Sequence, residues 1–346
     1  MKLSKILMSA FAFTLLFNIS CRNEDPITPD APKGAYENGI LVTNEGNFGS
    51  PTASVSFISN DLNTVENNIY SANNGQAPLG DVLQNIGVQG DNAYLILNNS
   101  NKIEIVNRYT FKKTATVTEQ ISQPRYIAFA NNNYYVTNSS GSSKFVTVYS
   151  TATNAFVKKI DLASTGERIV EAGGKIIVQN AAYSSGNKLT FINPTSNTIE
   201  SVLAVPTGTI QKTISNGGYV YTIASTSTDS YIYKINPSGT INSSVTLTGI
   251  GNANNLEIDG TKFIFSSGNN VYTMDMNTTK VPTTPIITLT NTTWSSMYGF
   301  GVVDGKIFIS DANGFTADST VDIYSTSGSL LKTINTARGT NGFYKN

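Results

Sequence analysis

The chain has 346 residues, with 23 Lys and Arg against 23 Asp and Glu, no histidine and one cysteine. A formal net charge of zero supplies no electrostatic drive toward nucleic acid or an anionic membrane face. Without histidine there is no Ser-His-Asp triad, no histidine-bound zinc and no imidazole acid–base chemistry, and a lone cysteine cannot form an internal disulfide.

Residues 1–20 read as an export signal. Lys2 and Lys5 give a positive start, and Ile6 to Ile19 is mostly apolar but shorter than the roughly 20 apolar residues of a permanent span. The run ends at Ser20-Cys21. Asn-Ile-Ser-Cys resembles the lipobox of bacterial lipoproteins, with Asn18 where that motif has leucine. The resemblance implies that 1–20 is a lipoprotein signal peptide and that Cys21 is acylated. An ordinary signal cleaved nearby is the alternative. Residues 21–34 are polar and broken by Pro26, Pro29 and Pro32, which reads as an extended tether. Glu24-Asp25 resembles the surface-export signals of Bacteroidetes lipoproteins, implying an outer-membrane lipoprotein displayed on the cell surface. Removal of 1–20 leaves 21 basic against 23 acidic residues, so no nucleic-acid partner is expected.

From residue 35 short β-rich runs alternate with clusters of Gly, Asn, Ser and Thr. ILVTN begins at Ile40, YLILN at Tyr94, YYVTN at Tyr134, KIIVQN at Lys175, YVYTIA at Tyr219, KFIFSS at Lys262 and KIFISD at Lys306. Each is followed by another strand, from SVSFIS in the first repeat to TVDIYS in the last. FVKKID, TIESVL and LLKTIN read as fourth strands, and RYIAFA, RIVEAG and NNLEID as first strands. A period of about 40–45 residues made of short strands is the signature of propeller blades, whereas a β-solenoid has shorter repeats. The expected fold is all-β: a seven-bladed β-propeller of four-stranded antiparallel blades over 35–346. No first strand precedes Ile40, so GTNGFYKN at the C-terminus is expected to supply it and close the ring.

YYVTN at 134–138 and LVTN at 41–44 resemble the YVTN-repeat β-propellers. The Gly-His…Trp-Asp pattern of WD40 proteins is missing. Signal, tether, seven blades and the loop NEGNFGS at 44–50 together resemble surface propeller lipoproteins of Bacteroidetes. Some of these capture cobalamin for a TonB-dependent outer-membrane transporter. The resemblance implies non-enzymatic capture of a small or medium ligand, a corrinoid first, with such a transporter as partner.

In an up-and-down blade, second-to-third and fourth-to-first connections share one face. Those connections hold nearly all the length variation, as in NEGNFGSPTA, SANNGQAPLGDVLQN, NTTWSSMYG and DANGFTADS. The opposite face has compact turns such as GGK, DGTK and NPSG. Binding is therefore expected on the elaborated face. Asn44, Asn98, Asn138, Asn180 and Asp311 recur at the end of the second strand and read as turn devices. The candidate ligand contacts are Glu45, Asn47 and Phe48 in the first loop, Asp81, and the aromatics Tyr183, Trp294, Tyr298 and Phe315. Trp294, the only tryptophan, is either a contact or a lid over the core. Arg125, Arg168 and Lys212 stand near the start of three successive first strands and are expected to approach the mouth of the central channel. They either meet an anionic or amide-rich ligand or pair locally, for instance with Glu167.

Two other functions stay open. One is a protein-binding or adhesive surface propeller. The other is a calcium-dependent, lactonase-like hydrolase resting on Glu45, Asp81 and Asp311. Quinoprotein propellers have eight blades with repeated tryptophans, against one here. No cofactor and no metal ligand set is expected. If Cys21 is the anchor, Cys21→Ser should move the folded chain from the membrane to the soluble fraction and abolish lipid labelling. Unchanged fractionation would refute the anchor.

Overall fold

The runs that mark each repeat are apolar almost throughout because both faces of those strands are covered. In Gly39–Asn44 all six residues are buried. Leu41 packs with Leu83, Leu95 and Phe111 on one side, while Ile40 and Val42 pack with Phe308, Val321 and Phe343 on the other. Alternate side chains thus face different neighbouring blades, and period-2 amphipathicity disappears.

The computed structural model describes residues 32–141, 143–182, 185–290 and 292–346. Residues 1–20, read above as an export signal, and Cys21 lie outside the described residues. Gly34–Asn346 forms one compact unit, the propeller. It contains seven four-stranded antiparallel sheets, joined in chain order around a ring. A typical blade runs Pro124–Ala130, Asn133–Ser140, Ser143–Ser150 and Phe156–Asp161 from the inside outward. Two outer strands are short, Val65–Glu66 and Ile287–Thr288. Beside the first of these the helix Ile69–Asn73 buries Ile69 and Tyr70 against the first two blades. A helix of five residues is too short for periodicity to reveal it.

Among the described residues the apolar core falls into seven clusters, one at each blade–blade interface. The repeated asparagines hold strands together. Asn44 Nδ2 donates to Ser56 Oγ at 2.9 Å, and Asn138 Nδ2 donates to Thr147 Oγ1 at 2.9 Å. Both are fully buried, so they stabilise the blades and do not face solvent. On the compact face Gly173 and Gly174 have φ of 54° and 78°. Two successive positive φ values define the hairpin turn whose twist suits antiparallel strands.

The ring closes as the sequence leads one to expect. Thr340–Lys345 is the inner strand of the first blade and pairs antiparallel with Gly39–Asn44, Val42 opposite Phe343. Phe343 stacks on Phe308 of the seventh blade at 5.1 Å, while Tyr344 packs on the cluster between the first two blades. One strand therefore completes two interfaces. Deleting 340–346 should cost about 3 kcal/mol or more, from the lost burial of two aromatic side chains and the lost ladder. Denaturant unfolding of the truncated protein measures this, and a midpoint equal to the parent's would contradict the closure.

Candidate functional site

A recurrent bulge shapes the rim of the central channel. In six inner strands the ladder to the second strand shifts register near its start, for example between Leu83 and Asn85, Pro124 and Ile127, and Ser296 and Gly299. In the fourth blade the backbone of Gln179 serves two residues, donating to Arg168 O at 2.8 Å and accepting from Glu167 N at 2.9 Å. Bulges leave an unpaired residue and re-aim side chains. Here the residues at the bulges include Gln84, Arg125, Tyr126, Glu167, Arg168 and Tyr298, gathered at the elaborated face.

The loop after Gly39–Asn44 is fixed on two sides. Glu45 N donates to Gly339 O at 2.9 Å and Gly46 N to Arg338 O at 3.1 Å, tying the loop to the connection that enters the closing strand. Gly49 N donates to Asp81 Oδ2 at 3.0 Å, which Asn99 also engages. Gly46 has φ of 77°, and a Cβ there would lie 2.5 Å from the Thr52 carbonyl carbon, so glycine is required. These ties hold Phe48 out at the tip, 81% exposed.

Beside that loop lies a cavity of about 540 Å³ lined by Glu45, Asn47, Phe48, Val82, Gln84, Asn98, Arg125, Tyr298 and Phe315. Its volume falls in the usual range of roughly 300–1,000 Å³ for small-molecule sites. Tyr298 meets Phe315 edge-on at 5.0 Å, and Trp294, 75% exposed, stacks on Phe315 at 6.1 Å. Trp294 therefore extends the rim outward and is no lid. Val82 and Phe315 have φ of 57° and 58°. Bulky side chains rarely adopt that region, at a cost of about 1–3 kcal/mol each, and such strain gathers at functional sites.

The polar wall is ordered. Tyr298 Oη donates to Glu45 Oε2 at 2.9 Å and Asn341 Nδ2 to Oε1 at 2.8 Å. Burial pushes the Glu45 carboxyl above its ordinary value, although these two donors and the Arg125 charge pull it down. Arg125 Nη1 donates to Gln84 Oε1 at 2.6 Å, and its Nε and Nη2 clamp Glu167, at 2.6 Å from Nη2. The local pairing weighed for Arg125 is thus present, with one edge of the residue still lining the cavity.

Further inward, the inner strands surround a channel cavity of about 250 Å³, lined by Tyr126, Arg168, Lys212, Glu257, Asn341 and Tyr344 among others. Lys212 is buried and donates to Glu257 at 2.6 Å. Burial pushes Lys212 below its ordinary value, with Glu257 opposing and Arg168 adding to the shift.

Six of the residues singled out in the sequence line one cavity: Glu45, Asn47, Phe48, Arg125, Tyr298 and Phe315. Trp294 stands at its rim. Asp81 departs from expectation: it is not among the lining residues, because its carboxylate holds the Phe48 loop. Arg168 lines the channel mouth, where its place at the start of a first strand leads one to expect it, and not this cavity. Tyr183 lies outside the described residues. Gln84, Val82 and Asn341 went unrecognised, since nothing in a single polar or apolar residue announces a bulge. Glu45, Asp81 and Asp311 do not assemble into a calcium site. Each bonds different donors, Asp311 accepting from Ser295 at 2.7 Å and Ser296 at 2.6 Å. Among the described residues no group of three or more acidic or cysteine side chains is placed to hold a metal ion.

Residues 38–344 match a family described as a domain of unknown function (DUF5074). No curated protein matches the sequence significantly. Among solved structures, a quinoprotein alcohol dehydrogenase-like protein from Bacteroides thetaiotaomicron superposes with TM-score 0.67 at 13% identity, over 90% of this chain and 78% of that one. A functionally unknown protein from Desulfotomaculum acetoxidans gives 0.65 at 13%, over 89% and 98%. Kuenenia stuttgartiensis hydrazine synthase gives 0.60 at 16%, over 73% and 86%. At such identities the likeness is one of fold alone.

The raised Glu45 pKa has a defined sign. The stability linked to its protonation is fully present below the unfolded-state value and lost as pH rises through the higher folded-state value. Glu45→Gln should remove that segment of the stability profile. Denaturant unfolding of both proteins across the acid range checks this, and identical pH profiles would refute the shift.

Proposed function

The chain belongs to the DUF5074 family, and we propose that it is a non-enzymatic capture protein that binds a medium-sized ligand in the aromatic-rimmed cavity of its elaborated face. The observation that carries this reading is the convergence of exposed Phe48, Trp294 and Tyr298 with Glu45, Gln84 and Arg125 around one opening. Aromatic faces supply flat apolar contact, and a few fixed polar groups orient a ligand. Exposed aromatics at this density are costly in water unless they have a partner.

A ligand with a broad ring and peripheral amides suits this chemistry, because the Glu45 carboxylate and the Gln84 and Asn47 amides offer acceptors and donors at the wall. A corrinoid is the first candidate. In the same reading the protein is an outer-membrane lipoprotein anchored through Cys21 and displayed outward on the 21–34 tether, passing its ligand to a TonB-dependent transporter. The reading is non-catalytic: Tyr298 and Asn341 fix the Glu45 carboxylate as part of the wall that orients the ligand.

Calorimetry of the chain lacking residues 1–33 against corrinoids tests the proposal. Trp294→Ala and Phe48→Ala should each lose about 2 kcal/mol of affinity if these are central anchors. Lys262→Ala, on the compact face, should change nothing. Lack of corrinoid binding would reject that ligand. Binding of any ligand that is insensitive to both aromatic substitutions would reject the site. Binding of a folded protein in place of a small molecule would favour the adhesive alternative.

A further inference from the structure

Three cations approach the channel mouth from neighbouring blades, and two are neutralised. Glu167 clamps Arg125 at 2.6 Å and Glu257 holds Lys212 at 2.6 Å. Arg168 belongs to the blade between them. Among the described residues no hydrogen bond or ion pair engages its guanidinium. Its contact is the ring of Tyr126, 4.7 Å from the guanidinium carbon. Stacking on an aromatic face fixes the guanidinium plane and leaves its N–H edge for another acceptor.

Position adds to this. Arg168 lines both the channel cavity and a second cavity of about 200 Å³ at the mouth, shared with Arg125, Gln179 and Asn255. It thus stands where a group entering from the elaborated face would meet it. Glu167, Glu257 and Glu45 also stand around the opening, and among the described residues Arg168 is the one of the three cations with no direct carboxylate contact.

We infer that Arg168 anchors an oxyanion site in the channel mouth that takes the carboxylate or phosphate group of a small molecule. A planar guanidinium matches either group through two parallel N–H···O bonds. The site adjoins the aromatic cavity through Arg125 and does not rest on the function proposed for that cavity.

Two measurements on the full-length chain test the site, with inorganic phosphate and succinate as the probes. The first is arginine-selective dicarbonyl labelling read by peptide mass mapping. Arg168 should react in the absence of oxyanion and be protected by one or both probes, while Arg108 and Arg338 are not. The second is a binding titration. Arg168→Gln should weaken the probe by about tenfold or more, as expected for a lost charge-assisted pair. Arg168→Lys, which keeps the charge but not the fork, should fall between, and Lys262→Ala, on the compact face, should bind the probe like the parent. The two probes tell a phosphate site from a carboxylate site. An unreactive Arg168, labelling unaffected by either oxyanion, or equal binding by Arg168→Gln would overturn the inference. Should Arg168→Gln fail to fold, labelling of the unaltered chain decides it.

Discussion

Every blade of this propeller is stable only between two neighbours, and that mutual burial is the constraint on which the molecule depends. The apolar core is not central. It is divided into seven interfaces, each filled from both sides by alternate residues of the same strands. A four-stranded sheet with two apolar faces cannot stand alone in water, so an open row of blades would leave its end sheets exposed. Thr340–Lys345 resolves this by joining the first blade, and Phe343 and Tyr344 fill the interfaces on either side of it.

Closure also builds the site. The connection into the closing strand accepts the backbone of Glu45 and Gly46, and Asn341 of that strand donates to the Glu45 carboxylate. Residues almost 300 positions apart in the chain thus form one wall. The aromatic rim is built within one blade, since Trp294 and Phe315 flank the two inner strands of the seventh, where Ser296 pairs with Asp311, and stack there.

The bulges separate the two tasks of an inner strand. Its regular part packs between neighbours and lines the lower channel with residues such as Ile169 and Phe300. Its irregular start releases one residue from the ladder and turns polar groups to the mouth. Packing and the presentation of polar groups thereby fall to different ends of the same strand. Charges are arranged with similar economy, each of two cations facing its own carboxylate while Arg168 leans on Tyr126.

Fold was legible because it repeats. Strand runs such as YYVTN and KIFISD, spaced evenly and separated by Gly and Asn turns, determine seven blades, and the missing first strand before Ile40 points to the C-terminus. The elaborated face could be read from loop length, and with it Glu45, Asn47, Phe48, Tyr298 and Phe315. The sequence could place Arg168 near the channel mouth but not Asp81 under the Phe48 loop, nor could it recruit Gln84, Val82 and Asn341. Those assignments depend on register shifts of one or two residues and on contacts between distant connections. Repetition of strands is a local property, set by burial on both faces and written into every copy. The direction of a side chain at a bulge is set by the partner strand and the next blade, so only the closed ring decides it.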